Sequence, residues 1–77
     1  MSAVYRELTV ARIRTPDDAD YVEVLFLESA RIYELRSDRP DFAELIELLR
    51  RAELDGRPIK VGFGSLDSDV IEDVQIR

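Results

Sequence analysis

The feature that most constrains this chain is a single helical stripe between residues 42 and 52. Apolar side chains recur there at the three- and four-residue spacing of one helix face, at Phe42, Leu45, Ile46, Leu49 and Ala52. Capping residues at 37–41 precede the stripe, and Pro40 among them suits a first helical turn. Asp55-Gly56 is a typical stop. The pattern predicts one amphipathic helix whose apolar face belongs to the core.

The segment from Val4 to Arg14 is rich in β-branched and alternating residues, but its apolar parity changes after Val10. A parity change inside one strand indicates a bulge or a sharp bend. Residues 15–20 contain Pro16 and three aspartates, a composition typical of turns. We expect one long, bent strand that ends in an acidic turn.

Two further strands are predicted at Tyr21–Leu27 and Ala30–Arg36, joined by a tight turn at Glu28-Ser29. A two-residue hairpin pairs mostly apolar residues on one face, which we expect to be the core face. These pairs are Val22 with Leu35, Val24 with Tyr33 and Phe26 with Arg31.

The same register places Glu23 opposite Glu34, a like-charge pair that costs stability. A three-residue turn removes this pair but scatters the apolar face. Tyr21 and Tyr33 point to opposite faces in the two-residue register. With Tyr5 they are interpreted as amphipathic residues at the rim of the fold.

Two more strands follow the helix. Residues 64–69 are predicted to form the loop between them, and Gly62 and Gly64 to let the first of them coil tightly. The apolar residues that define the two strands are Ile59, Val61 and Phe63 in one and Val70, Val74 and Ile76 in the other.

The resulting order of three strands, one helix and two strands resembles an OB-fold barrel, which is small, partly open and five-stranded. The B subunits of some bacterial multi-subunit toxins share this order. No residue motif accompanies the order, so the resemblance implies a fold and not a function. We expect a mainly β single domain over residues 1–77, a five-stranded OB-like barrel with one helix. The alternative is a two-layer α+β fold with the helix packed on one sheet.

Composition excludes several functions. The 77 residues include 17 acidic and 11 basic side chains, a net charge of −6, and neither His nor Cys. Disulfide and thiolate chemistry are therefore excluded, and the commonest general base and transition-metal ligand is absent. No apolar run is long enough to span a bilayer, and the first seven residues lack a secretory leader. We expect a cytoplasmic protein with no enzyme activity, no cofactor and no membrane partner.

Aspartates concentrate in the two connections that flank the ligand face of an OB barrel. They repel phosphates, so we expect no direct binding of nucleic acid. The second connection lacks the glycine and the spacing of a calcium loop, so no metal site is predicted. These acidic-loop residues are Asp17, Asp18 and Asp20 in the first connection and Asp67 and Asp69 in the second.

A second apolar face on the hairpin, Leu25, Leu27 and Ile32, is the strongest functional signal. A small monomer should not leave such residues together in water, unless barrel bending and the helix cover them. We therefore predict a non-enzymatic interaction or self-assembly module that pairs through this face with itself or with a protein partner. The alternatives are a small-ligand or saccharide-binding barrel, and an acidic decoy that occupies a nucleic-acid-binding protein.

Overall fold

The computed structural model describes residues 3–76, and within them the protein is mainly β with one helix. The elements in chain order are β1 Val4–Leu8, β2 Val10–Arg14, β3 Tyr21–Phe26, β4 Ile32–Arg36, α1 Phe42–Asp55, β5 Ile59–Phe63 and β6 Ile71–Gln75. The strands form two antiparallel three-stranded sheets, ordered β1-β5-β6 and β2-β3-β4. The expected count of five strands is wrong, because the predicted first strand is two strands in different sheets.

Strand β1 ends and β2 begins on either side of Thr9, which is buried. Its backbone N–H and its hydroxyl donate to the two carboxylate oxygens of Glu28, each at 2.7 Å, and its carbonyl accepts from the N–H of Leu27 at 2.9 Å. A register shift follows between Val10 and Arg12. The parity change therefore marked a real irregularity. The Glu28 carboxylate accepts the hydrogen bond of the Thr9 N–H, which has no acceptor in a neighbouring strand.

The predicted register of the β3-β4 hairpin is confirmed. Val24 lies opposite Tyr33, and the like-charged pair of Glu23 and Glu34 is present. The guanidinium of Arg14 on β2 lies 3.1 Å from the Glu23 carboxylate and offsets part of that repulsion. The prediction of a tight turn at Glu28-Ser29 is wrong, because β3 ends at Phe26 and residues 27–31 form a longer connection.

Helix α1 is confirmed with its apolar face. Leu45, Leu49 and Ala52 are buried, and Phe42 and Ile46 pack partly buried against the core. The helix ends where predicted, because Gly56 adopts φ 66° and its N–H donates to the carbonyl of Ala52 at 2.9 Å.

Capping at the start of α1 differs from the prediction. Asp41 is the N-cap residue, and its side chain makes no capping hydrogen bond. The Asp41 carboxylate instead accepts from the guanidinium of Arg39, which lowers the pKa of that carboxyl. Arg39 also donates to the main-chain carbonyls of Ile71 at 2.9 Å and Glu72 at 2.7 Å. One arginine thus ties the helix entry to the start of β6.

The core lies between the two sheets, and α1 contacts β2 and β4 of one sheet and β6 of the other. The alternative in which the helix covers one sheet is therefore not observed. The sheets also meet at a parallel bridge between Glu34 and Val70, where the Glu34 N–H donates to the carbonyl of Asp69 at 2.8 Å. Val70 forms only this bridge, and β6 begins at Ile71, one residue later than predicted.

Candidate interaction surface

The outer face of the β2-β3-β4 sheet carries the residues predicted as an interface. Along β3 the odd-numbered residues are half-buried and point outward, while Val22, Val24 and Phe26 are buried in the core. Leu25 lies directly opposite Ile32 on β4. Leu27 directly follows β3, at the start of the connection formed by residues 27–31, and its N–H donates to the carbonyl of Thr9 at 2.9 Å. We call Leu25, Leu27 and Ile32 the apolar row.

The apolar row is accessible to solvent. Leu27 is 72% exposed, Ile32 is 44% exposed and Leu25 is half-buried. Neither the helix nor the bend at Thr9 covers the first two side chains. The outer strand contributes Arg12, which lies opposite Leu25 in register. Two exposed apolar side chains beside an arginine resemble the composition of protein interfaces, in which arginine is enriched.

Charges on this face are nearly balanced, unlike those of the whole chain. Its outward positions carry the basic residues Arg12, Arg14 and Arg36 and the acidic residues Glu23 and Glu34. These five side chains sum to +1, so the rest of the chain carries a charge of −7 within the net charge of −6. A face with little net charge adds little repulsion when two copies meet there.

The two acidic connections flank opposite ends of β4. Asp20 accepts from the guanidinium of Arg36 at 2.9 Å, at the end of the strand. Asp69 pairs with Arg31 just before the strand begins, and the same guanidinium donates to the main-chain carbonyl of Asp67 at 2.9 Å. Two of the five predicted acidic-loop residues are thus ion-paired and fix the loops to the hairpin.

The other three acidic-loop side chains, those of Asp17, Asp18 and Asp67, form no ion pair within residues 3–76. All three are exposed, and Asp18 adopts a positive φ of 58°, which turns tolerate for aspartate. In the described part of the chain, no three acidic side chains converge to hold a metal ion. Among the same residues, no helix has the length and apolarity needed to cross a membrane.

A polar cluster beside the apolar row was missed by the sequence reasoning. Thr9 donates two hydrogen bonds to Glu28, and the backbone bond above all lowers the pKa of the Glu28 carboxyl. The hydroxyl of Tyr33 lies 3.0 Å from that of Ser29 and 3.3 Å from the guanidinium of Arg6. Tyr33 is only 1% exposed, so its assignment to the rim is wrong. These partners are 4 to 27 positions apart, and no local pattern indicates them.

A cavity of about 300 Å³ lies between the C-terminus of α1 and the start of β5. It shares no residue with the apolar row. Buried Ala52 and Ile59 contribute to its wall, and Glu7, Asp55 and Arg57 contribute charges. The apolar row therefore does not line this cavity.

Comparison with known proteins finds a structure with a similar fold but assigns the chain to no family. No protein-family model matches the chain, and no curated protein matches it. A solved structure with a similar fold is the A47Q2 mutant of pro-protein-glutaminase, with a TM-score of 0.75 at 18% sequence identity. The match covers 92% of this chain and 24% of that chain, so this chain spans about a quarter of that protein's length. The resemblance to toxin B subunits, drawn from element order, stays a prediction.

Proposed function

We propose that this chain is a small, acidic, non-enzymatic interaction module that self-associates through the apolar row. The observation that carries the proposal is the exposure of Leu27 at 72% and Ile32 at 44%, beside half-buried Leu25 on one sheet face. Burying such side chains in an interface is favourable by about 25 cal/mol for each Å² of apolar surface removed from water.

A second copy is the partner that the charges favour. Arg12 and Arg14 line one side of the face, and Glu23 and Glu34 lie across it on β3 and β4. Arg14 is already ion-paired with Glu23 of the same copy, so we propose a two-fold symmetric contact that pairs Arg12 of one copy with Glu34 of the other, and that pairing then occurs twice. The remaining acidic surface then opposes other arrangements of the two copies.

The finer fold that we propose is an OB-like, partly open barrel. Two junctions support it: the continuous chain through Thr9 joins β1 to β2, and the bridge of Glu34 with Val70 joins β4 to β6. Strand neighbours then follow the cycle β1-β5-β6-β4-β3-β2. In this arrangement the apolar row lies on the strands that OB barrels use for recognition.

Other functions receive less support. A decoy of nucleic acid needs an extended array of free negative charge, but Asp20 and Asp69 are ion-paired with Arg36 and Arg31, which leaves Asp17 and Asp18 in one connection and Asp67 in the other. The likeness to a quarter of pro-protein-glutaminase concerns fold alone and supplies no catalytic residue for this chain. A cytoplasmic, non-enzymatic protein without a nucleic-acid or membrane partner remains our proposal.

Sedimentation velocity tests self-association directly. We expect the wild type to sediment as a dimer or larger at micromolar concentration and Leu27→Glu to sediment as a monomer, because the variant places a charge where apolar surface is buried. Leu54→Glu is the matched control: Leu54 is 87% exposed on α1, and the substitution adds the same charge. A monomeric wild type, or equal dissociation of both variants, would contradict the proposal. Circular dichroism checks that each variant is folded.

A further inference from the structure

The cavity between the C-terminus of α1 and the start of β5 combines an apolar wall with charged side chains. Ala52 and Ile59 are its buried apolar residues, and Pro58 and Ile76 are exposed ones. Its volume of about 300 Å³ is at the lower end of the range of small-molecule sites, which is about 300–1,000 Å³. The cavity is therefore suited to a small ligand with an apolar part.

Two side chains of opposite charge line this cavity without partners. Asp55 is the last residue of α1, and Arg57 follows it by two positions. Within residues 3–76 neither side chain forms an ion pair or a hydrogen bond, with the other or with any third residue. Glu7, the third charged residue of the wall, already has an interaction partner. The cavity thus offers a ligand one carboxylate and one guanidinium.

The backbone holds the two charged residues beside each other. Gly56 lies between them with φ 66°, and its N–H donates to the carbonyl of Ala52, which ends the helix sharply. Pro58 restricts the preceding Arg57 to extended conformations. Two residues of chain span at most about 7 Å. Asp55 and Arg57 are therefore close enough for one small ligand to contact both.

These groups indicate a ligand that carries both charges. A guanidinium binds a carboxylate through two parallel hydrogen bonds. An ammonium group is favoured beside Asp55, because the carbonyls at the end of a helix carry partial negative charge and the last turn of α1 has no basic side chain to offset it. An α-amino acid carries an ammonium group and a carboxylate on one carbon atom. An apolar side chain on the same carbon matches the apolar wall.

We propose that this cavity binds a free α-amino acid with an apolar side chain. Its ammonium group contacts Asp55 and the end of α1, its carboxylate contacts Arg57, and its side chain packs on Ile59 and Pro58. An amine leaves Arg57 unpaired and a carboxylic acid leaves Asp55 unpaired, so the zwitterion binds more tightly than either. The cavity shares no residue with the apolar row, so this proposal does not depend on self-association.

The test is a nuclear magnetic resonance titration of the labelled protein with L-leucine, L-methionine and L-phenylalanine. The comparison ligands are the two analogues of the tightest binder that lack its carboxylate or its ammonium group. We expect at least one amino acid to shift the backbone signals of Asp55 and Arg57 and the methyl signals of Ile59 and Ile76 saturably, and to bind more tightly than both analogues. No saturable shift at up to about 10 millimolar amino acid would overturn the proposal. Binding of either analogue as tightly as the amino acid would also overturn it.

Variants assign each end of the ligand to its residue. Asp55→Asn and Arg57→Gln should each weaken the amino acid about fivefold or more, because each removes a charge-assisted hydrogen bond. Asp55→Asn should leave the carboxylic acid analogue unaffected, and Arg57→Gln the amine analogue. Glu53→Gln and Arg50→Gln are the matched controls, since they make the same charge changes at exposed positions of α1 outside the cavity wall. Circular dichroism checks the fold of all four variants. Unchanged affinity in either cavity variant, or equal losses in the controls, contradicts the proposal.

Discussion

The two sheets of this protein share one kind of inner face and differ in their outer faces. Both bury apolar residues inward at every second position, among them Val24 in β2-β3-β4 and Val61 in β1-β5-β6. Outside, β1-β5-β6 carries polar residues and the single ring of Tyr5, whereas β2-β3-β4 carries the apolar row. The inner faces are explained by stability alone. The apolar row has no such explanation within one molecule, so we assign it to self-association.

The largest expected effect separates the inner and outer sides of one strand. Leu35 on β4 is fully buried, so Leu35→Ala should lower the free energy of unfolding by about 2–5 kcal/mol. Ile32 on the same strand is 44% exposed, and Ile32→Ala should cost less than about 1 kcal/mol at concentrations where the protein is monomeric. Urea denaturation measures both. Equal losses would mean that the apolar row belongs to the core.

The second prediction concerns the outer face of the other sheet. Gly62→Ala forces the Tyr5 ring away and breaks its bond to Asp73, so it should lower the melting temperature measurably. Gly64→Ala is the matched control, because an added Cβ there meets no atom within 4 Å, and its effect should stay within about 0.5 kcal/mol. Thermal unfolding of the two variants compares them. A neutral Gly62→Ala would show that the ring is not fixed against β5.

The smallest expected effect lies at the junction between the sheets. Glu28→Gln removes the carboxylate that accepts both part-buried bonds from Thr9, and should cost about 1 kcal/mol at neutral pH, because Glu28 itself is exposed and water partly screens its charge. The bonds from Thr9 lower the folded-state pKa of the Glu28 carboxyl below its unfolded-state value.

The lowered pKa fixes the direction of the pH dependence. The stabilisation by Glu28 is fully present above the unfolded-state pKa and is lost as the pH falls through the lower folded-state pKa. The difference in stability between wild type and Glu28→Gln should therefore shrink in acid. Denaturation curves at neutral pH and at about pH 3 measure it. A difference that grows in acid would contradict the role assigned to Glu28.

Local patterns were enough to predict the helix face and the hairpin register, because both follow periodicities of a few residues. Leu45 and Leu49 are buried as their spacing indicates, and Val24 faces Tyr33. The break at Thr9 was not predictable in the same way, since the carboxylate that satisfies it lies 19 positions away. The contact of Tyr5 with Gly62 likewise depends on strands far apart in sequence. The sequence pattern did identify the outward apolar residues, but only the three-dimensional fold shows that they are exposed.

The central claim is that the apolar row is the self-association surface, and a dilution series of methyl-labelled protein tests it most directly. Between millimolar and micromolar concentration, the methyl signals of Leu25, Leu27 and Ile32 should move or sharpen together as the dimer dissociates. Those of Leu54 and Leu66, which are exposed at 87% and 70% elsewhere on the protein, should stay constant. Concentration-independent signals from the apolar row, or changes confined to Leu54 and Leu66, would contradict the account.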